Sequence, residues 1–511
     1  NIPYIIIEKN DTCASFFSKY PHTKKLISLN KPNTGSSNAD FNLRHDWNSL
    51  LNDEGLLFTQ YSNELYPNSN DLYKYFNDFA KYFELNIMYN TTVNKIKKNN
   101  ANYELLLNDN NTIRCEKLII GTGLSKPVYP EMALDPDIPN EFKPKHYADF
   151  PNDFFVNNEN LVKYNGKRLL IVGGGNAAYE LANTLQNHCS SILMWGSQKK
   201  LSIVSHYVGD IRSIYYPFFD TFYLKSLNAM DVVDKQRLKD LKVTYVSDIT
   251  SEHYNKLMVV DQLGKPYYQS PNELTNFDEI IYCSGWSFDS SIYDFKINMK
   301  GFDKYPEIKD NYESVNNNNL FFIGALMHSL DFKKGSGGFI HGFRYLIKLF
   351  TQINYNVPKS ITKISFNGNM DCYKKLAEHI FNRIRYTSSL YQLYGTMCDI
   401  FYYNKKEKTI YYVEDWKIQS LSHLNLEENI EYINTLNLEY GPEETIINRL
   451  GTFNKWNPSF LHPKIYLYKH KKPNIVPLDR VTFDEDLLAG FNDDNTYNKI
   501  FRTIKMCNLI V

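Results

Sequence analysis

The 511-residue chain carries 57 Lys and Arg against 57 Asp and Glu, with 43% hydrophobic and 15% aromatic residues. At ~150 residues per domain that is roughly three domains' worth of chain. A formal net charge of zero offers no global field to hold a polyanion, which disfavours nucleic acid or a membrane surface as partner.

Apolar runs such as residues 118–120 and 320–323 are strand-sized, far short of the ~20 residues that cross a bilayer, so no membrane span is predicted. The seven cysteines are widely spaced and include no CxxC pair. That excludes a local redox-active disulfide and a cysteine-based zinc site, and no metal is expected. Sequons stand at Asn10, Asn90 and Asn110, a weak signal in so Asn-rich a chain.

In chain order, residues 2–7 form an apolar, β-branched run closed by Glu8, which predicts a strand ending in an acid. In a dinucleotide-binding unit such an acid follows a Gly-rich turn by ~20 residues and holds the adenine ribose. The pattern therefore predicts a strand, phosphate loop and helix upstream of residue 1, without which this stretch is expected to hold FAD weakly. Residues 116–123 are an apolar strand ending in Gly121-Thr122-Gly123.

Residues 167–172 form a buried-strand pattern, followed by Gly173-Gly174-Gly175-Asn176-Ala177-Ala178 and a helical stretch. This is G-x-G-x-x-A between strand and helix. The glycines allow a tight turn and backbone approach to a pyrophosphate, and the small Ala178 lets helix and strand pack. The next strand, residues 192–195, ends in Gly196-Ser197-Gln198-Lys199-Lys200 rather than an acid. A hydroxyl and two cations in place of a ribose-binding carboxylate favour NADPH over NADH, with Ser197, Lys199 and Lys200 as the 2'-phosphate contacts.

Two further strands end in glycine: residues 278–285, finishing Cys283-Ser284-Gly285, and residues 319–324, finishing Ile323-Gly324. The latter leads through Gly335-Ser336-Gly337-Gly338 into an apolar helix over 339–350. Glycine at the carboxyl edge of a parallel sheet permits close approach of a planar or phosphorylated ligand. The order predicts an α/β fold with two dinucleotide-binding (Rossmann-like) domains, the NADP domain inserted in the FAD domain. Expected boundaries are 1–140 for the first segment of the FAD domain, 141–287 for the NADP domain, 288–357 for the second segment of the FAD domain, and 358–511 for a C-terminal α+β appendage. In that last region residues 371–385 show one apolar helical face, and 409–413 and 464–468 are strand-like.

The stretches Phe41-Asn42-Leu43-Arg44-His45-Asp46-Trp47-Asn48-Ser49-Leu50-Leu51, His206-Tyr207-Val208-Gly209-Asp210 and Gly337-Gly338-Phe339-Ile340-His341-Gly342-Phe343-Arg344-Tyr345 carry a closer likeness. The chain resembles the endoplasmic-reticulum flavoproteins associated with degradation, relatives of the flavin-containing monooxygenases, over nearly its whole length. The resemblance implies a lumenal FAD oxidoreductase that uses NADPH and has misfolded glycoproteins or the degradation machinery of the endoplasmic reticulum as partners. It also places Asn30 near the reactive edge of the flavin, as a hydrogen-bonding candidate catalytic residue. His206, with Asp210 and Arg212, is an acid/base or phosphate-contacting candidate. The predicted cofactor contacts are Glu8, Thr122, Gly123, Gly173, Gly175, Asn176, Ala178, Ser197, Lys199, Lys200, Gly285, Gly324 and Gly338.

Two departures stand out. Phe142 to His146 does not match the monooxygenase pattern F-x-G-x-x-x-H, and Gly324-Ala325 replaces the Gly-Asp that many flavoproteins use to hold the ribityl chain. The first weakens oxygenation of a small nucleophile as the activity, and the second leaves the flavin's polar tail to another partner and fits a non-catalytic binding module that kept the fold.

Overall fold

The computed structural model describes residues 3–99, 102–130, 143–195, 243–246, 258–260, 266–268, 277–332, 335–355, 357–440, 461–471, 474–482, 497–498 and 500–502. The first lobe is built from parallel strand pairs: Ile6–Ile7 beside Ile87–Met88, and Leu118–Ile120 beside Leu320–Phe322. An antiparallel meander, Val93–Asn99, Asn102–Leu107 and Thr112–Cys115, leads into the second pair. Of residues 3–7, the described part of the apolar run, only Ile6–Ile7 is strand, and Tyr4, Ile5 and Ile6 are exposed, because the run has a partner on one side only among the described residues.

Between the halves of that lobe sits a five-stranded parallel sheet. Its order is Val243–Val246, Ser191–Trp195, Arg168–Val172, Glu279–Tyr282, Lys145–His146. Leu169, Leu170 and Ile171 are fully buried, as expected for a central strand of a parallel sheet covered on both faces. The two passages of chain between the lobes, Lys126–Pro127 and Trp286–Ser287, pair with each other antiparallel. One sheet is thus inserted in the other, and it is the pairing of Leu320–Phe322 with Leu118–Ile120 across the insertion that closes the first lobe.

After the helix Ile340–Tyr355 the chain forms a six-stranded antiparallel sheet. Its order is Ile361–Ser365, Thr409–Lys417, Met397–Asn404, Tyr432–Tyr440, Leu461–Lys471, Asn474–Thr482. The helix Asn369–Tyr386 packs its face of Leu376, Ala377, Ile380 and Ile384, all fully buried, into a core shared with Leu118, Phe322 and Leu346 of the first lobe. Each fully buried large aliphatic side chain there is worth about 1.5–3 kcal/mol. The C-terminal region is α+β as its pattern predicts, and it is fused to the first lobe through one continuous core.

Polar contacts reinforce the fusion. Arg44 donates to the carbonyls of Arg385 and Thr387, the last turn of the Asn369–Tyr386 helix and the residue after it, and its guanidinium lies 3.6 Å from the Tyr391 ring centroid. Helix C-termini leave carbonyls without intrahelical donors, and a buried guanidinium supplies them here. Arg344 donates to the carbonyls of Leu43, Asp46 and Ser49. The two stretches around residues 41–51 and 337–345 are therefore one structural unit, with Arg344 pinning the loop that carries Asp46 and Trp47.

Candidate functional site

In the inserted sheet the three glycines have different physical reasons. A Cβ on Gly173, whose φ is +142°, would stand 2.3 Å from the Cys283 carbonyl oxygen, so glycine is required there by the neighbouring strand. Gly175 has no atom within 4 Å of where a Cβ would be. It is the N-cap of the Asn176–Leu185 helix, with no side-chain cap and no acid in the first turn. Ala178 is fully buried and packs with Leu169, Ile171 and Ile281, where a larger side chain would push helix from sheet. An uncapped helix N-terminus beside open space is a place for an anion, and the pyrophosphate of a dinucleotide fits it. Gly285 follows the adjacent strand at φ +89°, with open space beside it. Ser197, Lys199, Lys200 and His206, with Asp210 and Arg212, lie outside the described residues.

In the first lobe Gly123 and Gly324 adopt φ of +66° and +67° beyond the carboxyl ends of their paired strands, each with nothing within 4 Å of a would-be Cβ. Thr122, just before Gly123, is exposed. Glu8, after Ile6–Ile7, accepts from the backbone and side-chain nitrogens of Asn10 at 2.8 and 2.9 Å, both through Oε1. Asn30 is fully buried, and its Nδ2 donates to the carbonyls of Ser62 and Glu64 at 2.7 and 3.0 Å. Both amide protons are therefore committed to those two carbonyls. Its Oδ1 is buried with no hydrogen-bond partner among the described residues.

Asn30 is bridged to Asp46, and the next residue, Trp47, stacks on His341 with ring centroids 4.3 Å apart. His341 in turn stacks on Phe339, next to Gly338. The fold thus brings Asn30 and Gly338 to one neighbourhood through a three-ring stack that no sequence pattern indicated. Burial, with Arg44 and Lys31 nearby, pulls His45 down to about 4. Burial pulls His22 to about 4 as well, against the hydrogen bond between its Nε2 and the Tyr147 carbonyl. His22, Tyr20, Tyr147 and Trp286 form the aromatic seam where the lobes meet.

Two glycine-edged nucleotide sheets, one inserted in the other, are matched by comparison with known proteins. Residues 1–324 fit the model of the pyridine nucleotide-disulphide oxidoreductase family. The chain belongs to this family. Across 96% of its length this flavin oxidoreductase is 31% identical to FAD-dependent oxidoreductase domain-containing protein 2 of Mus musculus, covering 78% of that protein. The protein of the same name from Danio rerio is 30% identical, over 91% of this chain and 72% of its own. Among solved structures, a flavin-containing monooxygenase from Stenotrophomonas maltophilia is 12% identical with a TM-score of 0.44, over 69% of this chain and 98% of that one.

The residues of this oxidoreductase fit the cofactor its family implies. Open space beside Gly123 and Gly324 at the edge of the parallel pair, and the buried Oδ1 of Asn30, are features a bound FAD would meet. The disulphide chemistry in the family's name has no counterpart among the described residues. Their six cysteines are free thiols. Burial pushes each of them up, Cys189 and Cys372 to about 12, so none is poised as a thiolate.

Proposed function

We propose that this chain moves hydride from NADPH to FAD and passes the electrons to a further acceptor. The observation that carries the reading is the uncapped helix N-terminus beside the open Gly175, in a sheet inserted within a second glycine-edged sheet. Hydride transfer asks mainly for positioning, which two such sheets in one chain supply. FAD, when bound, supplies the two-electron chemistry.

The chain's own groups divide the binding. Gly173 shapes the turn, while Gly175 and the amides at Asn176 face the pyrophosphate of NADPH. Ala178 keeps the helix close to the sheet, and Gly285 gives the ligand room at the sheet edge. Ser197, Lys199 and Lys200 take the 2'-phosphate, and His206 stands as an acid/base candidate of the same region. On the FAD side Glu8 holds the ribose, and Thr122, Gly123 and Gly324 line the sheet edge. Gly338 lies in the turn just before the helix Ile340–Tyr355, whose first amides face the flavin, and Asn30 Oδ1 accepts a hydrogen bond. With both Asn30 amide protons held by Ser62 and Glu64, no proton of that side chain remains for a flavin hydroperoxide, which favours plain electron transfer over oxygenation.

The resemblance supports a lumenal setting in the endoplasmic reticulum and a role in degrading misfolded glycoproteins. The test of the activity is an anaerobic visible spectrum of the flavin-loaded protein. Bleaching by NADPH and far slower bleaching by NADH is the expected result. Flavin that binds and never bleaches would overturn the reading in favour of a binding module.

A further inference from the structure

The inserted lobe joins the first lobe through two crossover strands of two residues each, Lys126–Pro127 and Trp286–Ser287, and other segments of the two lobes also touch. Residues 19–24 of the first lobe run against the turn Tyr147–Asp149 and the helix Asn176–Leu185 of the inserted lobe. Their own lobe holds them in place. The Lys24 carbonyl accepts from Ser69 N at 2.7 Å, at the start of the Ser69–Tyr82 helix, and Leu26 N donates to the Pro67 carbonyl at 2.9 Å. The receiving turn is held as firmly. His146 pairs with Tyr282 in the inserted sheet, its Nδ1 accepts from Ala148 N at 3.0 Å, and its own N–H donates to Asp149 Oδ2 at 2.7 Å.

His22, fully buried, is the centre of this contact. Its backbone N–H donates to the Tyr147 hydroxyl, and its Nε2 meets the Tyr147 carbonyl, both at 2.8 Å. A carbonyl only accepts, so Nε2 carries the proton. The ring lies edge-on to Tyr147 at 4.6 Å, to Tyr20 at 5.0 Å and to Phe155 at 5.9 Å. Tyr20 in turn meets Trp286 of the crossover at 5.3 Å. Around the ring, Lys19 Nζ donates to the Ala148 carbonyl at 3.0 Å, Thr23 Oγ1 donates to Glu180 Oε2 at 3.2 Å, and Lys24 Nζ stands 3.1 Å from Asp153 Oδ1. Glu180 is buried in the helix whose N-cap is Gly175, so the contact reaches the element that carries the open helix end.

Two short strands side by side act as a hinge: they fix one line between the lobes and leave rotation about it to a few backbone torsions. A contact between other segments removes that rotation, and two hydrogen bonds from one buried residue to one partner fix direction as well as distance. Hydride transfer demands such control, because a displacement of ~1 Å can cost ~100-fold in rate. We propose that residues 19–24 are a latch between the lobes and that His22 is its positioning residue, holding the inserted sheet and its Gly175 helix end at a fixed orientation to the glycine-edged strand pair of the first lobe. Its effect on hydride transfer rests on the function proposed above, while the latch itself does not.

The first measurement uses the full chain without added flavin, with nitroxides coupled to ketone side chains placed at Glu116 of the first lobe and Glu159 of the inserted lobe, both exposed. Pulsed electron-spin distances should give one narrow distribution in the parent. H22L, which removes the ring and its donor, should widen that distribution about twofold or more, and H22Q, whose amide offers an N–H at similar reach, should restore it. T23V cuts the link to Glu180 with little change of shape and carries the same direction of effect if H22L does not fold. A distribution unchanged in H22L, or in T23V where H22L does not fold, would overturn the proposal, as would H22Q as broad as H22L, which would mark ring packing alone. In the flavin-loaded protein under anaerobic stopped flow, H22L should slow bleaching at saturating NADPH by about tenfold or more, with half-saturation within about threefold of the parent, and H22Q should recover the rate. An unchanged rate in a broadened H22L would overturn His22 as a positioning residue. A parent that NADPH never bleaches, with the distances still broadened in H22L, would sink the flavin reading and leave the latch standing.

Discussion

Glu414 is the most informative single substitution. Arg383 lies among four carboxylates: Asp399 at 2.7 Å, Asp415 at 3.1 Å, and Asp40 and Glu414 at 3.4 Å each. Lys348 adds a second cation at 3.0 Å from Asp415. Four anions against two cations leave an excess of negative charge in a seam that joins the Ala39–Arg44 helix to the C-terminal sheet. Burial first, and then Asp399, Asp415 and Asp40 acting against the pull of Arg383, raise Glu414 from 4.5 to about 7.

A folded-state value above the unfolded one means the folded protein binds the extra proton. The stability linked to Glu414 is therefore fully present below about 4.5 and lost as pH rises through about 7. At ~1.4 kcal/mol per unit the shift corresponds to at most about 3.5 kcal/mol, less where solvent screens the quarter-exposed side chain, so about 1–3 kcal/mol is expected. Glu414→Gln mimics the protonated form. At pH 8.5 the variant should gain roughly five- to hundredfold in amide-exchange protection of the strands Met397–Asn404 and Thr409–Lys417, and at pH 4 it should exchange within about twofold of the parent. A variant that exchanges faster at pH 8.5, or gains equally at both pH values, would refute the reasoning.

Gly173→Ala forces a methyl group against the Cys283 carbonyl and should unfold or strongly destabilise the inserted sheet, seen as lost cooperative melting. Gly175→Val, by contrast, projects into open space and should leave the melt intact while weakening NADPH binding by at least about tenfold in a titration calorimeter. Arg344→Met strips the donor from the carbonyls of Leu43, Asp46 and Ser49 and should cost about 3 kcal/mol or more, read as a lowered unfolding midpoint in urea. Asn90 and Asn110 are exposed at φ of +54° and +64°, whereas the Asn10 amide donates to Glu8 and Ser15. If the chain enters the endoplasmic reticulum, endoglycosidase-sensitive mobility should vanish in N90Q/N110Q and persist in N10Q, and its absence in the parent would count against the lumenal assignment.

The sequence by itself determined the elements whose signal is local. Strand-glycine-helix order marked the turn at Gly173 to Ala178, and apolar spacing marked the helix around Leu376 to Ile384. Strand endings at Gly123, Gly285 and Gly324 suggested that one nucleotide sheet interrupts another. What needed the tertiary structure was everything set by contacts between distant segments. Whether Gly173 serves a ligand or a neighbouring strand depends on where Cys283 lies, 110 residues on in the chain. Asn30 reads as a donor until Ser62 and Glu64 take both its protons. Lys417 ends an ordinary strand, and its burial beside Tyr312 follows only from the C-terminal sheet sharing its core with the first lobe. Periodicity and glycine placement are properties of a short window, whereas burial, charge balance and hydrogen-bond commitment are properties of a neighbourhood that only the folded chain assembles.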